Sequence, residues 1–361
     1  MKKLQLLALL LTTITTLHAQ LRKGTHTFGG GVGVQQELRL QNGASNPAFL
    51  NFTPSFATFI SDHWLVGLST NLGVNLWGGS NRFSGFLTPK VRYYLNPDQG
   101  KYHFYGDVSS AFGLSENTLD AWRFSVGANR FLNKNIALEA SLDYSVIEDS
   151  FGENPLALSL SFRPFLSRQD RQEKSEEDLT FQKGDWQLPR SLLYTWYQYD
   201  RLTFTITPSA GYFLNANWMI GLNTWTNFAI RTNDNPFPVP TLRLAATPFV
   251  RYYFSPKNQG QWFSEASVNF DYSRREFESA ISKTFDSSVG LKHGYAWFLT
   301  PNLSLECFFS VTYNFDRWFV LDNQQEVSPP FFVEDFRDYL DINNLQLRLG
   351  TTFQYYLRPV K

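Results

Sequence analysis

An all-β, membrane-spanning antiparallel barrel is predicted by three features of this chain: sustained two-residue alternation, a heavy aromatic load and an internal duplication that keeps its turns. Successive side chains of a strand point to opposite faces. From Trp64 onward, Trp64, Val66, Leu68, Leu72, Val74 and Leu76 are apolar, while Gly67, Ser69, Asn71, Gly73 and Asn75 are small or polar. Alternation over ten or more residues is long for a globular sheet and long enough to cross a bilayer at a tilt. Phe (34), Tyr (17) and Trp (10) make up 17% of the chain, a load that favours strands and interfaces. A mean hydropathy of −0.29 suits strands with one polar face.

The duplication fixes the internal plan. Thr53-Pro54-Ser55, Trp64 and Gly67 return as Thr207-Pro208-Ser209, Trp218 and Gly221. Thr88-Pro89 and Val91-Arg92-Tyr93-Tyr94 return as Thr247-Pro248 and Val250-Arg251-Tyr252-Tyr253. Gly127, Phe131, Asn135 and Leu138-Glu139 return as Gly294, Phe298, Asn302 and Leu305-Glu306. Spacing between the copies is constant inside strands and grows at turns, as rigid elements and tolerant loops require.

Each half divides into eight alternating runs. The first half gives 25–38, 48–60, 64–77, 83–96, 101–115, 121–132, 136–149 and 155–166. The second gives 186–199, 202–215, 218–232, 241–255, 261–276, 283–299, 303–318 and 344–357. Tight turns fall at Ser61-Asp62-His63, Asn96 to Gly100 and Asn133 to Asn135, with counterparts at Asn215-Ala216-Asn217, Ser255 to Gly260 and Thr300 to Asn302. The opposite connections, near 39–47, 77–83, 116–120, 149–155, 233–240 and 319–343, are longer and more variable. Residues 1–19 read as a signal peptide, with Lys2 and Lys3 before an apolar run and Leu17-His18-Ala19 as a cleavage site. The plan is therefore a first repeat at 20–166, a charged linker at 167–182 and a second repeat at 183–361.

Several classes are excluded. Without Lys2 and Lys3 the balanced 32 basic and 32 acidic residues leave a net charge near −2, which argues against a nucleic-acid partner. One cysteine, Cys307, allows no intramolecular disulfide. No run approaches 18 consecutive apolar residues, so no transmembrane helix is expected.

These residues resemble the small eight-stranded outer-membrane β-barrel families of didermic bacteria. The resemblance covers each half nearly end to end. It rests on Lys23-Gly24 and Lys183-Gly184, on Pro-Ser before the first tight turn, on the repeated Arg-Tyr-Tyr and on the aromatic terminal strand Phe353-Gln354-Tyr355-Tyr356-Leu357. It implies an outer-membrane location, contact with outer-membrane lipids, and delivery by the outer-membrane assembly machinery, which reads such a terminal strand. The short turns are then periplasmic. Phe162-Arg163-Pro164-Phe165 ends the first half in a similar way, which favours two tandem eight-stranded barrels. One sixteen-stranded, porin-like barrel is the alternative.

Parity assigns the polar faces to the lumen. The first half sends Lys90, Arg92, Asp107, Arg123, Glu139 and Asp143 inward; the second sends Arg243, Arg251, Glu265, Asp271, Lys292, Glu306 and Arg348. Buried charges must pair, so a narrow barrel makes this set a salt-bridged plug, whereas a wide one makes it the lining of an ion path. Of His26, His63, His103 and His293, none has a partner at i+2 or i+4, so no metal site or cofactor is expected. No strand brings Ser, His and an acid to one depth, so an outer-membrane lipid-modifying enzyme is disfavoured and no catalytic residue is assigned. Gly29-Gly30-Gly31 lacks the following helix and Lys-Ser/Thr of a phosphate loop, and reads as a close-packed first strand. Trp64, Trp218, Tyr102, Trp262, Tyr295 and Trp297 near the short turns read as an aromatic girdle. The expected role is structural or surface-directed. Any unknown surface ligand is expected on the last long loop, at Phe331, Phe332, Asp335, Asp338 and Asp341; the alternative is a passive diffusion channel.

Overall fold

The computed structural model describes residues 21–38, 48–77, 80–97, 101–114, 121–147, 155–166, 181–189, 191–198, 201–231, 239–254, 260–277, 280–315, 318–321 and 345–358. The signal segment, linker residues 167–180 and most of the long connections lie outside the described residues. So do Phe331, Phe332, Asp335, Asp338 and Asp341.

In chain order the first half contains β1 (His26–Gly29), β2 (Val32–Leu38), β3 (Ala48–Phe52), β4 (Ser55–Phe59), β5 (Trp64–Trp77), β6 (Ser80–Tyr94), β7 (His103–Gly113), β8 (Ala121–Phe131), β9 (Ile136–Ile147) and β10 (Leu156–Pro164). The second contains β11 (Trp186–Leu188), β12 (Ser191–Gln198), β13 (Arg201–Ile206), β14 (Ser209–Phe213), β15 (Trp218–Arg231), β16 (Val239–Tyr253), β17 (Gly260–Phe277), β18 (Ala280–Thr300), β19 (Leu303–Asn314), β20 (Trp318–Leu321) and β21 (Leu345–Leu357). Five consecutive pairs (β1/β2, β3/β4, β11/β12, β13/β14 and β19/β20) are two segments of one stave. The twenty-one segments therefore make sixteen antiparallel staves.

The barrel closes as one. β12 pairs with β10 from Leu156↔Tyr197 to Ser161↔Ser191, joining the halves in mid-chain. β2 pairs with β21 from Leu38↔Leu345 to Gly33↔Gly350, joining the first stave to the last. The expectation of two tandem eight-stranded barrels is thus overturned, and the sixteen-stranded alternative holds. Alternation has the same form in either barrel; the difference lies in two non-local pairings.

Toward the short-turn end the partners change. β11 leaves β10 and pairs with β21 through Trp186↔Leu357, Gln187↔Tyr356 and Leu188↔Tyr355. β1 leaves β21, and His26 exchanges backbone hydrogen bonds with Leu166 at 2.8 and 2.7 Å. Each half therefore draws its own first and last staves together at this end. The single lumen divides there into two lobes. Two of the segment breaks, β3/β4 and β13/β14, fall at Thr53-Pro54 and Thr207-Pro208. Pro54 and Pro208 offer no amide hydrogen to the ladder, while Thr53 N donates to Gly31 O at 2.8 Å and Thr207 N to Leu192 O at 3.0 Å.

Each lobe has its own apolar plug. Leu21, Phe59, Leu65, Tyr94, Tyr105 and Phe165 fill the first; Phe181, Phe213, Met219, Tyr253, Phe263, Phe298 and Tyr356 fill the second. Phe181 stacks on Phe213 with centroids 4.0 Å apart. The linker assignment to residue 182 thus ends too late, because Phe181 enters the second core as Leu21 enters the first. Both are followed by a turn closed by Thr25 N to Arg22 O (3.0 Å) and Asp185 N to Gln182 O (3.1 Å), with Gly24 and Gly184 at φ of 83° and 98°.

A third cluster lies between the lobes. Ile136, Leu303 and Tyr355 are buried there with Phe162, Leu166, Leu188, Leu299 and Phe353 around them. Ile136 and Leu303 belong to the face that elsewhere carries the exposed Trp64, Leu68, Trp218, Ile220 and Leu222. Pinching the barrel turns part of its apolar exterior into an interior. Leu303→Ala is therefore expected to cost ~2–5 kcal/mol. Leu291→Ala, at a position 67% exposed on the outer face, should cost well under half of that. Urea titration in phospholipid vesicles distinguishes them; equal losses would remove the case for a packed lobe interface.

Candidate functional site

Directly above each plug, on the side of the shared lumen, lies a layer of buried charges. It is built from cross-strand neighbours. Arg92 on β6 stands opposite Asp107 on β7, and Arg251 on β16 opposite Glu265 on β17. Arg92 Nε donates to Asp107 Oδ2 at 2.9 Å, and its Nη1 reaches across to Glu139 Oε2 on β9 at 2.7 Å. Arg251 Nε donates to Glu265 Oε2 at 2.7 Å, and its Nη1 reaches Glu306 Oε1 on β19 at 2.6 Å.

The same scaffold supports both guanidinium groups. Two residues on along the strand, on the same face, Tyr94 and Tyr253 accept from the arginine Nη1 at 3.2 and 3.0 Å. Arg92 lies 3.5 Å above the Tyr105 ring and Arg251 4.2 Å above the Phe263 ring. Asn129 Nδ2 donates to Tyr94 Oη at 2.8 Å, and Tyr356 Oη donates to Glu306 Oε1 at 3.2 Å. Bidentate and charge-assisted bonds of this kind offset the cost of taking the charges out of water, and they fix the side chains in place.

The halves differ in how the ammonium is supplied. Lys90 Nζ contacts Asp107 Oδ2 at 2.9 Å; Lys292 Nζ contacts Glu265 Oε1 at 2.7 Å. Yet Lys90 precedes Arg92 by two residues, where the second half has Phe249 before Arg251. Lys292 precedes Gly294 by two, where the first half has Ser125 before Gly127. One lysine comes from β6 and the other from β18, and both arrive on the carboxylate opposite the arginine. The first half adds Arg163, whose Nη2 contacts Glu139 Oε1 at 2.5 Å.

Of the thirteen lumenal charges read from the sequence, Lys90, Arg92, Asp107 and Glu139 come together in one lobe, and Arg251, Glu265, Lys292 and Glu306 in the other. Arg243 and Asp271 form a separate pair nearer the long loops, with Nε to Oδ1 at 2.9 Å and the guanidinium 4.7 Å over Trp225. Asp143 accepts from Ser141 Oγ at 3.1 Å, outside the first layer. Arg123 on β8 stands opposite Ser109 on β7 and Ser145 on β9. Arg348 lies 5.8 Å over the Phe308 ring.

Sequence reading missed Arg163, Tyr94, Tyr105, Tyr253 and Tyr356. The repeated Arg-x-Tyr was the available signal, since arginine and second tyrosine share one face. The histidines serve packing and hydrogen bonding. His63 Nδ1 lies 2.7 Å from Tyr94 O, and His103 Nδ1 3.0 Å from Asn96 O with its ring edge-on to Phe131. His293 stacks on Trp262 at 5.4 Å. Among the described residues no group of three or more His, Cys, Asp or Glu is placed to hold a metal ion.

Comparison with known proteins adds the following. No family model matches the chain, and neither does any curated protein. Among solved structures, the chain is similar to a bacterial polysaccharide outer membrane secretin at 8% identity and TM-score 0.46, covering 95% of this chain and all of that one. It is similar to the outer membrane protein OprD of Pseudomonas aeruginosa at 10% identity and TM-score 0.33, over 94% and 96% of the two chains. It is also similar to OmpT of Vibrio cholerae at 9% identity and TM-score 0.26, over 93% and 100%. Likeness at this level bears on no activity; the architecture rests on the strand pairings themselves, which form a closed sixteen-stranded antiparallel barrel of the outer-membrane type.

Proposed function

We propose that this chain is an outer-membrane channel of the porin kind, in which one wide lumen narrows to two parallel constrictions, one per half. The observation that carries the reading is the sixteen-stave closure. Eight staves enclose little more than side chains, whereas sixteen leave room for an aqueous lumen. The apolar outer face supports a membrane setting, with Trp64, Trp218, Trp262 and Trp297 exposed near the short turns. The buried arginine–carboxylate layers and the plugs beneath them would set what passes. A second reading, a structural or surface-contact barrel, is favoured by those same plugs.

Planar-bilayer recording separates the two. The intact protein is expected to give small steps, and Phe181→Ala with Phe213→Ala, which removes two stacked rings from one plug, larger ones. Two unequal conductance levels should then appear, one per lobe. Silence from both proteins, each folded by its heat-dependent gel shift, overturns the channel reading in favour of the surface-contact one.

A further inference from the structure

At the mouth of the second lobe the lumenal wall contains a pocket of about 290 Å³, lined by Gln187, Ser209, Asn223, Arg251, Glu265, Lys292, Thr352, Phe353 and Gln354 among others. We propose that it binds a small organic anion, a carboxylate or phosphate ester, with the anionic group on Lys292 Nζ. The inference deepens the channel reading by naming a solute class for one constriction.

Three observations lead there. First, the carboxylate of the pocket is used up. Glu265 Oε2 accepts from Arg251 and Oε1 from Lys292, and its side chain is 6% exposed while that of Lys292 is 28% exposed. What the pocket presents to solvent is the ammonium, with N–H bonds to spare.

Second, two of the three amides on the wall, Asn223 and Gln354, have their acceptors engaged. Asn223 Oδ1 takes the Ser209 hydroxyl and Gln354 Oε1 takes Gln187 Nε2 at 2.6 Å. Their NH2 groups are left as the hydrogen-bonding ends. The third, Gln187, spends its NH2 on Gln354 and keeps its Oε1 buried, so the groups turned to the pocket are mainly donors, which suits carboxylate or phosphate oxygens.

Third, the pattern extends to the rest of the lumen. In the first lobe Lys90 and Arg163 side chains are 25% and 26% exposed against 2% and 5% for the Asp107 and Glu139 carboxylates they contact. The Arg243–Asp271 pair repeats it. In each of these pairs the cation faces water and the carboxylate is covered, so the floor of the lumen attracts anions. At ~30 Å³ per water the pocket has room for roughly ten non-hydrogen atoms. Phe249, two residues before Arg251 on the same inner face, supplies an apolar wall for the ligand's carbon atoms.

The test is titration calorimetry on the full chain in detergent micelles, with inorganic phosphate, then acetate, then glycerol as a neutral probe at matched ionic strength. Phosphate and acetate are expected to bind and glycerol not. Lys292→Gln should weaken phosphate binding about tenfold or more. Asn223→Asp, which leaves every ion pair of the layer in place, should do the same by repulsion. Lys101→Gln, at the short turn before β7 and outside both charge layers, should leave that binding within about twofold. Glycerol binding without phosphate binding, or phosphate binding indifferent to both Lys292→Gln and Asn223→Asp, overturns the proposal. Because binding is read without a membrane, a silent bilayer with phosphate binding intact sinks only the channel reading. A conducting protein that binds no anion sinks only this one.

Discussion

Arg251→Ala is expected to destabilise the folded barrel by ~3–5 kcal/mol, the cost of removing one partner from a buried ion pair. Glu306, fully buried, would keep only the Tyr356 hydroxyl at 3.2 Å, while Glu265 would keep Lys292 at 2.7 Å. The equivalent change in the first half, Arg92→Ala, should cost less. There Glu139 retains Arg163 at 2.5 Å and Asp107 retains Lys90 at 2.9 Å, so neither carboxylate is left without a cation. Removing charge from both sides, as in Arg251→Met with Glu306→Leu, should recover much of the Arg251→Ala loss, because no unpaired charge remains buried beside the plug. Urea titrations of the vesicle-folded proteins, scored by gel mobility, give the three values. Equal losses for the two alanine variants would show that the second cation in the first lobe contributes nothing, and the counter-charge account would fall.

That asymmetry also marks where sequence reading stops. Parity placed Arg92 and Arg251 on the inner face, because period two survives any barrel size. Arg163 escapes that reading although it sits diagonal to Glu139 on the paired strand, because Phe162-Arg163-Pro164-Phe165 reads as a terminal segment and not as part of the lumenal wall. The lysine exchange was hidden for another reason. Aligning the two copies pairs Lys90 with Phe249 and Ser125 with Lys292, so neither lysine looks repeated; only the barrel brings both to the same carboxylate position. The closure was misjudged through signals that were real but local. The two terminal segments do close within their own halves, Leu166 on His26 and Tyr355 on Leu188, but only at the short-turn end. The long linker has a matching cause. Phe165 lies in one lobe and Phe181 in the other, so a tight turn cannot join them.

The exchange of partners on the first stave should depend on one glycine more than on any side chain. Gly30, between β1 and β2, has φ of 88°, and a Cβ there would lie 1.6 Å from Thr53 O, 2.5 Å from Thr53 C and 2.7 Å from Pro54 Cα. All three contacts are backbone, at the Thr-Pro break of the neighbouring stave, so no side chain can turn aside to make room. Gly24 provides the control. Its φ of 83° carries the same left-handed penalty, but nothing lies within 4 Å of a Cβ placed there. Gly24→Ala is therefore expected to cost only the conformational term, ~1–2 kcal/mol. Gly30→Ala adds displacement of two backbones at the point where stave one leaves β21 for the first lobe, and should exceed ~4 kcal/mol or prevent folding. Refolding yield and urea midpoint of the two variants, compared in the same vesicles, decide the matter. A Gly30→Ala protein no less stable than Gly24→Ala would mean that the backbones separate at low cost there, and that the division of the lumen is held by the Ile136–Leu303–Tyr355 cluster instead.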